Sequence, residues 1–372
     1  MSPGAGTRVV GAAIVYRLHD VGYEIALDRA LDLLASSAPE RVRPVRGEAQ
    51  AIQIKNPPIT VILGTENVAV NGTRVDAELS ARIFDFGVVS LRLRIPAPGD
   101  LSWDDFSAFG NAVDADRTIG ALFDQHVRLL VDRIRPAVER AGVAAQTEDY
   151  VVYRISRMVD AHGQPVGAGA LGDLDVAPLL LNERRPLSVE ARRELLPHRF
   201  TYYGDDLTIL TWDNALVVEP EPNDTDVQFI LEFANAQLLE LRFYDAILDA
   251  QLPQMYDRVS AARRGRGFIF TRRYAPLLAD LQRLVADSTE LVERVENSLK
   301  VTDDVYLARI YSAALEIFRG RAWRSGIDRK LGIIRETYAM LNAESQAARA
   351  EALEIAIVVL IVAEIVFAVV AK

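Results

Sequence analysis

Apolar residues in the first 100 positions follow the two-residue period and short runs of β-strands. The segments with this pattern are 8–16, 59–63, 67–70, 74–83 and 86–95. Asn71-Gly72 separates two of them and predicts a tight hairpin turn, because both residue types accept positive φ. Residues 23–34 instead repeat apolar positions at helical spacing. The pattern predicts an N-terminal domain that consists largely of a sheet.

Helical and strand patterns alternate from residue 100 to residue 219. Ser102 with Asp105 predicts a helix N-cap, and 119–138 carries a helical apolar stripe. Residues 150–159 return to strand character. Short helices are predicted at 173–181 and 188–196, and strands around 199–203 and 207–218. The composition changes at residues 220–222 (Pro-Glu-Pro), where we place a domain boundary.

Beyond this boundary, apolar residues recur in alternating steps of four and three. The three seams run over 230–248, 277–295 and 327–359. Such spacing is typical of helices packed as a coiled coil or bundle. We therefore predict an α+β fold with four parts: an N-terminal α/β sheet domain at 1–219, a helical hairpin or bundle at 220–322, a stalk helix at 323–352 and a transmembrane helix at 353–371.

The last segment is apolar except for Glu354 at its edge and Glu364 near its middle. Its length is enough to cross the hydrocarbon of a bilayer. Its Leu, Ile, Val and Phe side chains outweigh the roughly 3 kcal/mol that one central carboxylate costs. A buried bundle helix is the alternative. The predicted membrane-anchor residues are Leu353, Ile357, Leu360, Glu364 and Phe367.

Charge around this segment predicts an orientation. Arg329, Lys330, Arg335 and Arg349 precede it, which favours a cytoplasmic location for the N-terminal bulk. Only Lys372 follows, as in a tail anchor. Arginine greatly exceeds the four lysines, a bias typical of GC-rich bacterial genomes. We expect a single-pass protein of the bacterial inner membrane.

Composition excludes several chemistries. The chain has no cysteine, so thiol nucleophiles, disulfides and thiolate metal sites are excluded. Its net charge is −10, which argues against nucleic acid as a main ligand. His19, His126, His162 and His198 are dispersed without metal-ligand spacing, and surface or capping roles are sufficient for them. We predict no catalytic, cofactor-binding or metal-binding residues.

Gly167, Gly169 and Gly172 match the spacing G-x-G-x-x-G of a dinucleotide site. Seven residues separate the first glycine from the preceding strand, whereas the motif requires glycines at the strand's end. We interpret 163–172 as a flexible connection. A membrane-associated enzyme with a site near this loop is an alternative.

Residues 263–274 combine five arginines and three aromatic residues at the predicted turn between two long helices. A tip of this composition suits lipid headgroups, RNA or an acidic protein face, although a solvated helix connection is equally consistent with it. The predicted partner-binding residues are Arg263, Arg264, Arg266, Phe268, Phe270, Arg272 and Arg273.

Three segments carry a resemblance to a known family. Residues 83–89 (IFDFGVV), 232–249 (EFANAQLLELRFYDAILD) and 353–366 (LEIAIVVLIVAEIV) resemble, in the same order, the "required for meiotic nuclear division" proteins. Residues 100–215 depart from that family, so the chain resembles a divergent bacterial relative. The resemblance implies an α/β portion, a helical hairpin and an inner-membrane anchor. It implies no catalytic residues; eukaryotic members are mitochondrial and support translation there.

These patterns lead to one functional expectation and two alternatives. We expect a membrane-anchored scaffold or adaptor on the cytoplasmic face, bound to the lipid bilayer through the C-terminal helix. A protein partner or anionic surface is expected at the 263–274 tip. The alternatives are the membrane-associated enzyme and a homo-oligomeric coiled-coil membrane protein.

Overall fold

The structure, a computed structural model, describes residues 6–37, 39–41, 52–54, 56–166, 174–183, 185–220, 226–264, 278–286, 289–290, 299–301 and 305–370. The chain forms two compact units. Unit 1 contains Met1–Glu240 and Arg294–Arg321, and unit 2 contains Leu241–Glu293 and Ala322–Lys372. Sheet, packed helices and a long apolar C-terminal helix are all present, which confirms the predicted α+β class.

Strands and helices have the following bounds. The strands of the main sheet are β1 (Arg8–Asp20), β3 (Glu40–Arg41), β5 (Ile59–Val70), β6 (Thr73–Ile83), β7 (Val88–Pro96), β8 (Leu101–Ser102), β10 (Thr147–Val159), β11 (Arg199–Phe200), β12 (Leu207–Leu210) and β13 (Asn214–Val218). Separate pairs join β2 (Glu24–Ile25) to β9 (Val138–Glu139) and β4 (Ile52–Ile54) to β14 (Leu299–Val301). The helices are α1 (Leu27–Leu34), α2 (Trp103–Asp114), α3 (Arg117–Ile134), α4 (Ala177–Leu180), α5 (Val189–Leu195), α6 (Asp226–Arg264), α7 (Val305–Ile317) and α8 (Gly320–Val370), and residues 278–286 and 289–290 are also helical.

The main sheet runs in the order β11-β12-β13-β10-β1-β7-β6-β5-β3, with β8 paired to the start of β1. Its neighbours are antiparallel except for β10 and β13, which are parallel. The predicted hairpin is confirmed: Asn71 and Gly72 connect β5 to β6 with φ of 49° and 78°. This sheet is the scaffold for the rest of unit 1.

One face of the sheet packs against α1 to α4. Strand alternation directs Leu79 and Ala81 of β6 and Leu91 of β7 into this hydrophobic core. The predicted cap is confirmed, since the Ser102 hydroxyl accepts a hydrogen bond of 3.1 Å from the Asp105 backbone N–H. The helices therefore cover the apolar side of the sheet.

The other face contacts the first half of α6 together with α7. Residues 226–240 of α6 are buried on every side of the helix. The coiled coil predicted for this stretch is not shown, because a coiled-coil helix buries one seam and leaves the opposite face in water. This segment is instead an interior helix of unit 1.

Unit 2 is helical. Leu248 of α6 and Ile327, Leu331 and Ile334 of α8 are all buried. The Lys330 ammonium lies 2.7 Å from Asp245 Oδ1 and 2.6 Å from Asp249 Oδ1. The part of the third predicted seam from Ile327 to Leu341 therefore packs within a helical unit.

Candidate functional site

The C-terminal part of α8 exposes apolar side chains on all of its faces. An 18-residue stretch of this helix has a mean hydropathy of 2.8, and none of it is buried. Leu353 is 65% exposed, Leu360 69% and Phe367 79%. Ile357 and Glu364 are exposed on the same segment. By length and composition, this is one helix within the described residues that could cross a membrane.

The predicted arginine-rich tip lies mostly outside the described residues. Arg263 and Arg264 are the last two residues of α6. Arg266, Phe268, Phe270, Arg272 and Arg273 fall outside the described ranges. The role predicted for this tip therefore stays a prediction.

The glycine-containing loop after β10 begins with a tight turn. One carboxylate oxygen of Asp160 accepts hydrogen bonds from the backbone N–H groups of His162 (2.8 Å) and Gln164 (2.9 Å), which lowers the pKa of Asp160. Gly163 has φ of 73° within this turn. Residues 167–172, which carry the G-x-G-x-x-G spacing, lie outside the described ranges. In the described part of the loop, the Asp160 carboxylate therefore accepts the hydrogen bonds of the two backbone N–H groups at His162 and Gln164.

Two of the segments that carry the family resemblance meet inside unit 1. Phe233 of α6 lies 5.7 Å from Phe84 and 5.8 Å from Phe86, measured between ring centroids. Beside these rings, the buried Arg82 guanidinium of β6 forms an ion pair with Glu232 of α6. Arg82 also donates a 3.2 Å hydrogen bond to the Thr60 hydroxyl. Sequence patterns did not predict this contact, because the partners are 150 residues apart.

Two adjacent titratable residues at the end of β1 are also buried. His19 is 1% exposed, and desolvation lowers its pKa to about 4. The surface or capping role predicted for His19 is therefore wrong. Asp20 is 5% exposed, and burial raises its pKa to about 7 although its carboxylate accepts a 3.1 Å hydrogen bond from Gly22 N–H. His126, in contrast, is partly exposed, and its Nε2 lies 3.1 Å from Glu66 Oε1.

A cavity of about 500 Å³ lies in unit 1 where α2, α4, α5, α7 and the β12–β13 turn meet. Its size is in the range of small-molecule sites. Asp114, Glu194 and Asp213 contribute carboxylates, and Trp212 contributes an aromatic side chain. Among the described residues that line it there is no lysine or arginine. The Arg319 guanidinium lies nearby, 6.0 Å from the ring centroid of Trp212.

Two carboxylates of this cavity, those of Asp114 and Asp213, lie in surroundings that disfavour their charged form. Burial and then the charges of Asp213 and Asp149 raise the pKa of Asp114, and burial raises the pKa of Asp213. Asp114 is also the last residue of α2, where the helix dipole is negative. Within the described part of the chain, no group of three or more His, Asp or Glu side chains could hold a metal ion.

Residues 10–225, more than half of the sequence, match the family model described as "Uncharacterized protein MJ0711, N-terminal domain". The chain belongs to this family. One relative, the uncharacterized protein MJ0711 of Methanocaldococcus jannaschii, is 27% identical over 190 residues. That alignment covers 51% of this chain and 57% of the relative's length. No solved structure matches the chain.

The MJ0711 N-terminal-domain match extends from residue 10 to residue 225, so it covers the main sheet except the first two residues of β1, and it includes Asp114 and Asp213 of the cavity. It ends just before the first residue of α6, Asp226. The apolar end of α8 therefore lies outside it. The comparisons support an uncharacterised family, and they do not support the resemblance to the "required for meiotic nuclear division" proteins. Neither a bacterial source nor a coiled coil is shown by them.

Sequence reasoning missed the cavity of this family domain. Trp212-Asp213 and Asp114 are 98 positions apart or more, and no spacing rule connects them. One signal could have indicated Asp114: a carboxylate at the C-terminal end of a helix opposes the helix dipole, and such a position calls for a compensating charge.

Proposed function

We propose that this protein is a membrane-tethered scaffold or adaptor, held by residues 353–370 of α8 and displaying unit 1 on the cytoplasmic face. The exposed apolar end of α8 carries this proposal. A helix with apolar side chains on every face and no protein around them is stable in lipid and costly in water. The MJ0711 family name provides no activity that would favour an enzyme.

The experiment that tests this proposal is truncation after Glu351. We expect the truncated chain to move from the membrane pellet to the soluble fraction, because it loses the apolar segment and keeps the buried core of unit 1. Carbonate-washed membranes and immunoblotting measure the distribution. A matched control restores an 18-residue Leu/Ala helix after Glu351 and should return the chain to the pellet.

A truncated chain that stays with carbonate-washed membranes would overturn the anchor. Orientation has a separate readout: protease should digest unit 1 in inverted inner-membrane vesicles and spare it in intact spheroplasts. Digestion only in spheroplasts would contradict the cytoplasmic location. These two measurements separate attachment from orientation.

Partner binding by the scaffold is the finer part of the proposal. Each of the five arginines within residues 263–274 would contribute about 1 kcal/mol near an anionic surface. Self-association through the helices is the alternative. A distant relationship to the "required for meiotic nuclear division" proteins is compatible with both and rests only on the three short segments named above.

A further inference from the structure

The end of the main sheet at β11 and the neighbouring side of α7 form an exposed surface with charges of both signs. We propose that unit 1 pairs with a second copy of itself across this surface, by a two-fold axis that sets the two α7 helices antiparallel. The pairing is independent of membrane attachment. Its support comes from an open strand edge, from the groove beside that edge and from two charges that are complementary between copies.

The open strand edge belongs to β11, the last strand at one end of the main sheet. Arg199 of β11 pairs with Ile209 of β12 on one side, and no described strand pairs with β11 on the other. An edge strand presents backbone N–H and C=O groups that a further strand can use. A two-fold axis perpendicular to the sheet would place β11 of a second copy at this edge in antiparallel orientation.

A groove of about 470 Å³ lies beside this edge, between β11 and α7. The Tyr306 hydroxyl of α7 lies 3.3 Å from the Thr208 hydroxyl of β12, so α7 lies over this end of the sheet. One stripe of α7 lines the groove, and its residues follow one another in helical steps: Val305, Ala308, Arg309, Ser312 and Glu316. Val305 is 75% exposed, and the last three are exposed as well. The stripe therefore faces solvent in a single copy.

Two side chains of this stripe carry opposite charges. The Arg309 guanidinium lies over the Phe200 ring, 5.5 Å from its centroid. Glu316 follows seven positions later, which is two turns or about 10 Å of helix, so the two charges share one face at opposite ends of the groove. Within the part of the chain that the structure describes, neither side chain forms an ion pair. Each charge is therefore available to a partner.

A two-fold axis near the middle of the stripe pairs these charges between copies. Antiparallel α7 helices centred between Ser312 and Ala313 bring Arg309 of each copy opposite Glu316 of the other. The same contact is then made twice, which is the property of an isologous interface. Ser312 and Ala313 are small, so the helices can approach closely at the centre. Complementary charges at both ends fix the register of such a contact and disfavour other partners.

The test is disulfide crosslinking of the full-length chain in non-ionic detergent, which is specific because the chain has no cysteine. Ser312→Cys places a thiol near the proposed axis, where two copies should bring their Cα atoms within the roughly 4.4–6.8 Å that a disulfide requires. We expect mild oxidation to give a covalent dimer. Thr73→Cys, an exposed position at the β5–β6 turn, is the matched control and should remain monomeric.

Charge reversal tests the pairing itself. In the Ser312→Cys chain, Arg309→Glu or Glu316→Arg places like charges opposite each other at both ends of the contact. Each change should lower the crosslinked fraction by about tenfold or more. An equal mixture of the two variants should recover crosslinking as a heterodimer, because every reversed charge then faces an opposite one. Both positions are exposed, so thermal unfolding should be unchanged for each variant.

Three results would each overturn the proposal. The first is a Ser312→Cys chain that crosslinks no faster than Thr73→Cys. The second is a crosslinked fraction that either charge reversal leaves unchanged. The third is a mixture of the two reversed variants that crosslinks no more than each variant alone.

Discussion

At the scale of single residues, His19 and Asp20 are adjacent and buried, and their ionisations change the stability of the fold in opposite directions as the pH changes. Neither ring nitrogen of His19 has a hydrogen-bond partner among the described residues, so the neutral ring is the form that the fold accommodates. Its pKa of about 4 compares with 6.5 for an unburied histidine. Between these two values the unfolded chain binds more protons than the folded chain does, and stability falls as the pH falls.

The variant His19→Leu tests this linkage. A shift from 6.5 to about 4 corresponds to roughly 3 kcal/mol of stability lost on acidification from pH 7 to pH 4. The variant lacks this ionisation, so its free energy of unfolding should fall less over the same range, by about that amount. Denaturant unfolding at several pH values measures the difference. Parallel pH profiles for variant and unmodified chain would contradict it.

Asp20 acts in the opposite direction and remains in both chains of that comparison. Its pKa is raised to about 7 in the folded chain, so the contribution of its protonated form is present below pH 3.8 and is lost as the pH rises through 7. The profile of the unmodified chain therefore contains two opposing slopes. Only the difference between the two chains isolates His19.

At the scale of elements, the Arg82–Glu232 ion pair joins β6 to α6 inside unit 1. Both side chains are buried, and Glu232 Oε1 has no hydrogen-bond partner among the described residues. Removing one partner leaves a buried charge without compensation, which costs about 3–5 kcal/mol. Replacing both with apolar side chains avoids that penalty.

We therefore expect Arg82→Met alone to destabilise unit 1 by about 3–5 kcal/mol, and Arg82→Met/Glu232→Leu to destabilise it by much less than two single changes together. Denaturant unfolding of the full chain in detergent gives the free energies. The exposed pair Arg8–Asp100 is the control, and Asp100→Asn should change stability by less than about 1 kcal/mol. Additive effects at Arg82 and Glu232 would show that the pair is not coupled.

Local elements were predictable from the sequence, and their partners were not. The Asn71-Gly72 hairpin and the Ser102 cap depend on residues within a few positions of each other, and both were predicted correctly. The burial of α6 over residues 226–240 depends on a sheet formed elsewhere in the chain. Gln228, Glu232 and Glu240 make this helix polar enough to resemble a surface helix. The ion-pair partner of Glu232, Arg82, lies 150 positions away in the sequence. The cavity was missed for the same reason.

At the scale of the whole molecule, we expect Glu364 to control the self-association of the apolar C-terminal segment. A carboxylate near the middle of a spanning helix costs about 3 kcal/mol, which a polar partner on a second helix would offset. Glu364→Leu should increase the carbonate-resistant fraction and decrease crosslinked dimers in membranes. Glu354→Leu, at the edge of the same segment, is the matched control and should leave crosslinking unchanged. If Glu364→Leu also leaves crosslinking unchanged, Glu364 has no role in self-association, and the segment only tolerates its carboxylate.

The pairing of β1 with β10 also determines when the centre of the main sheet can form during synthesis. His19 pairs with Thr147 and Arg8 with Val159, so the centre of the sheet joins residues that are 128 and 151 positions apart. A growing chain can form the β5–β6–β7 meander early, because its strands are sequence neighbours. The central pair must wait for residue 159 to leave the ribosome. Contacts between such distant residues slow folding. One edge of β1 can pair with β7 once residue 96 is available, but the edge that pairs with β10 stays open to chaperones until residue 159 has been synthesised.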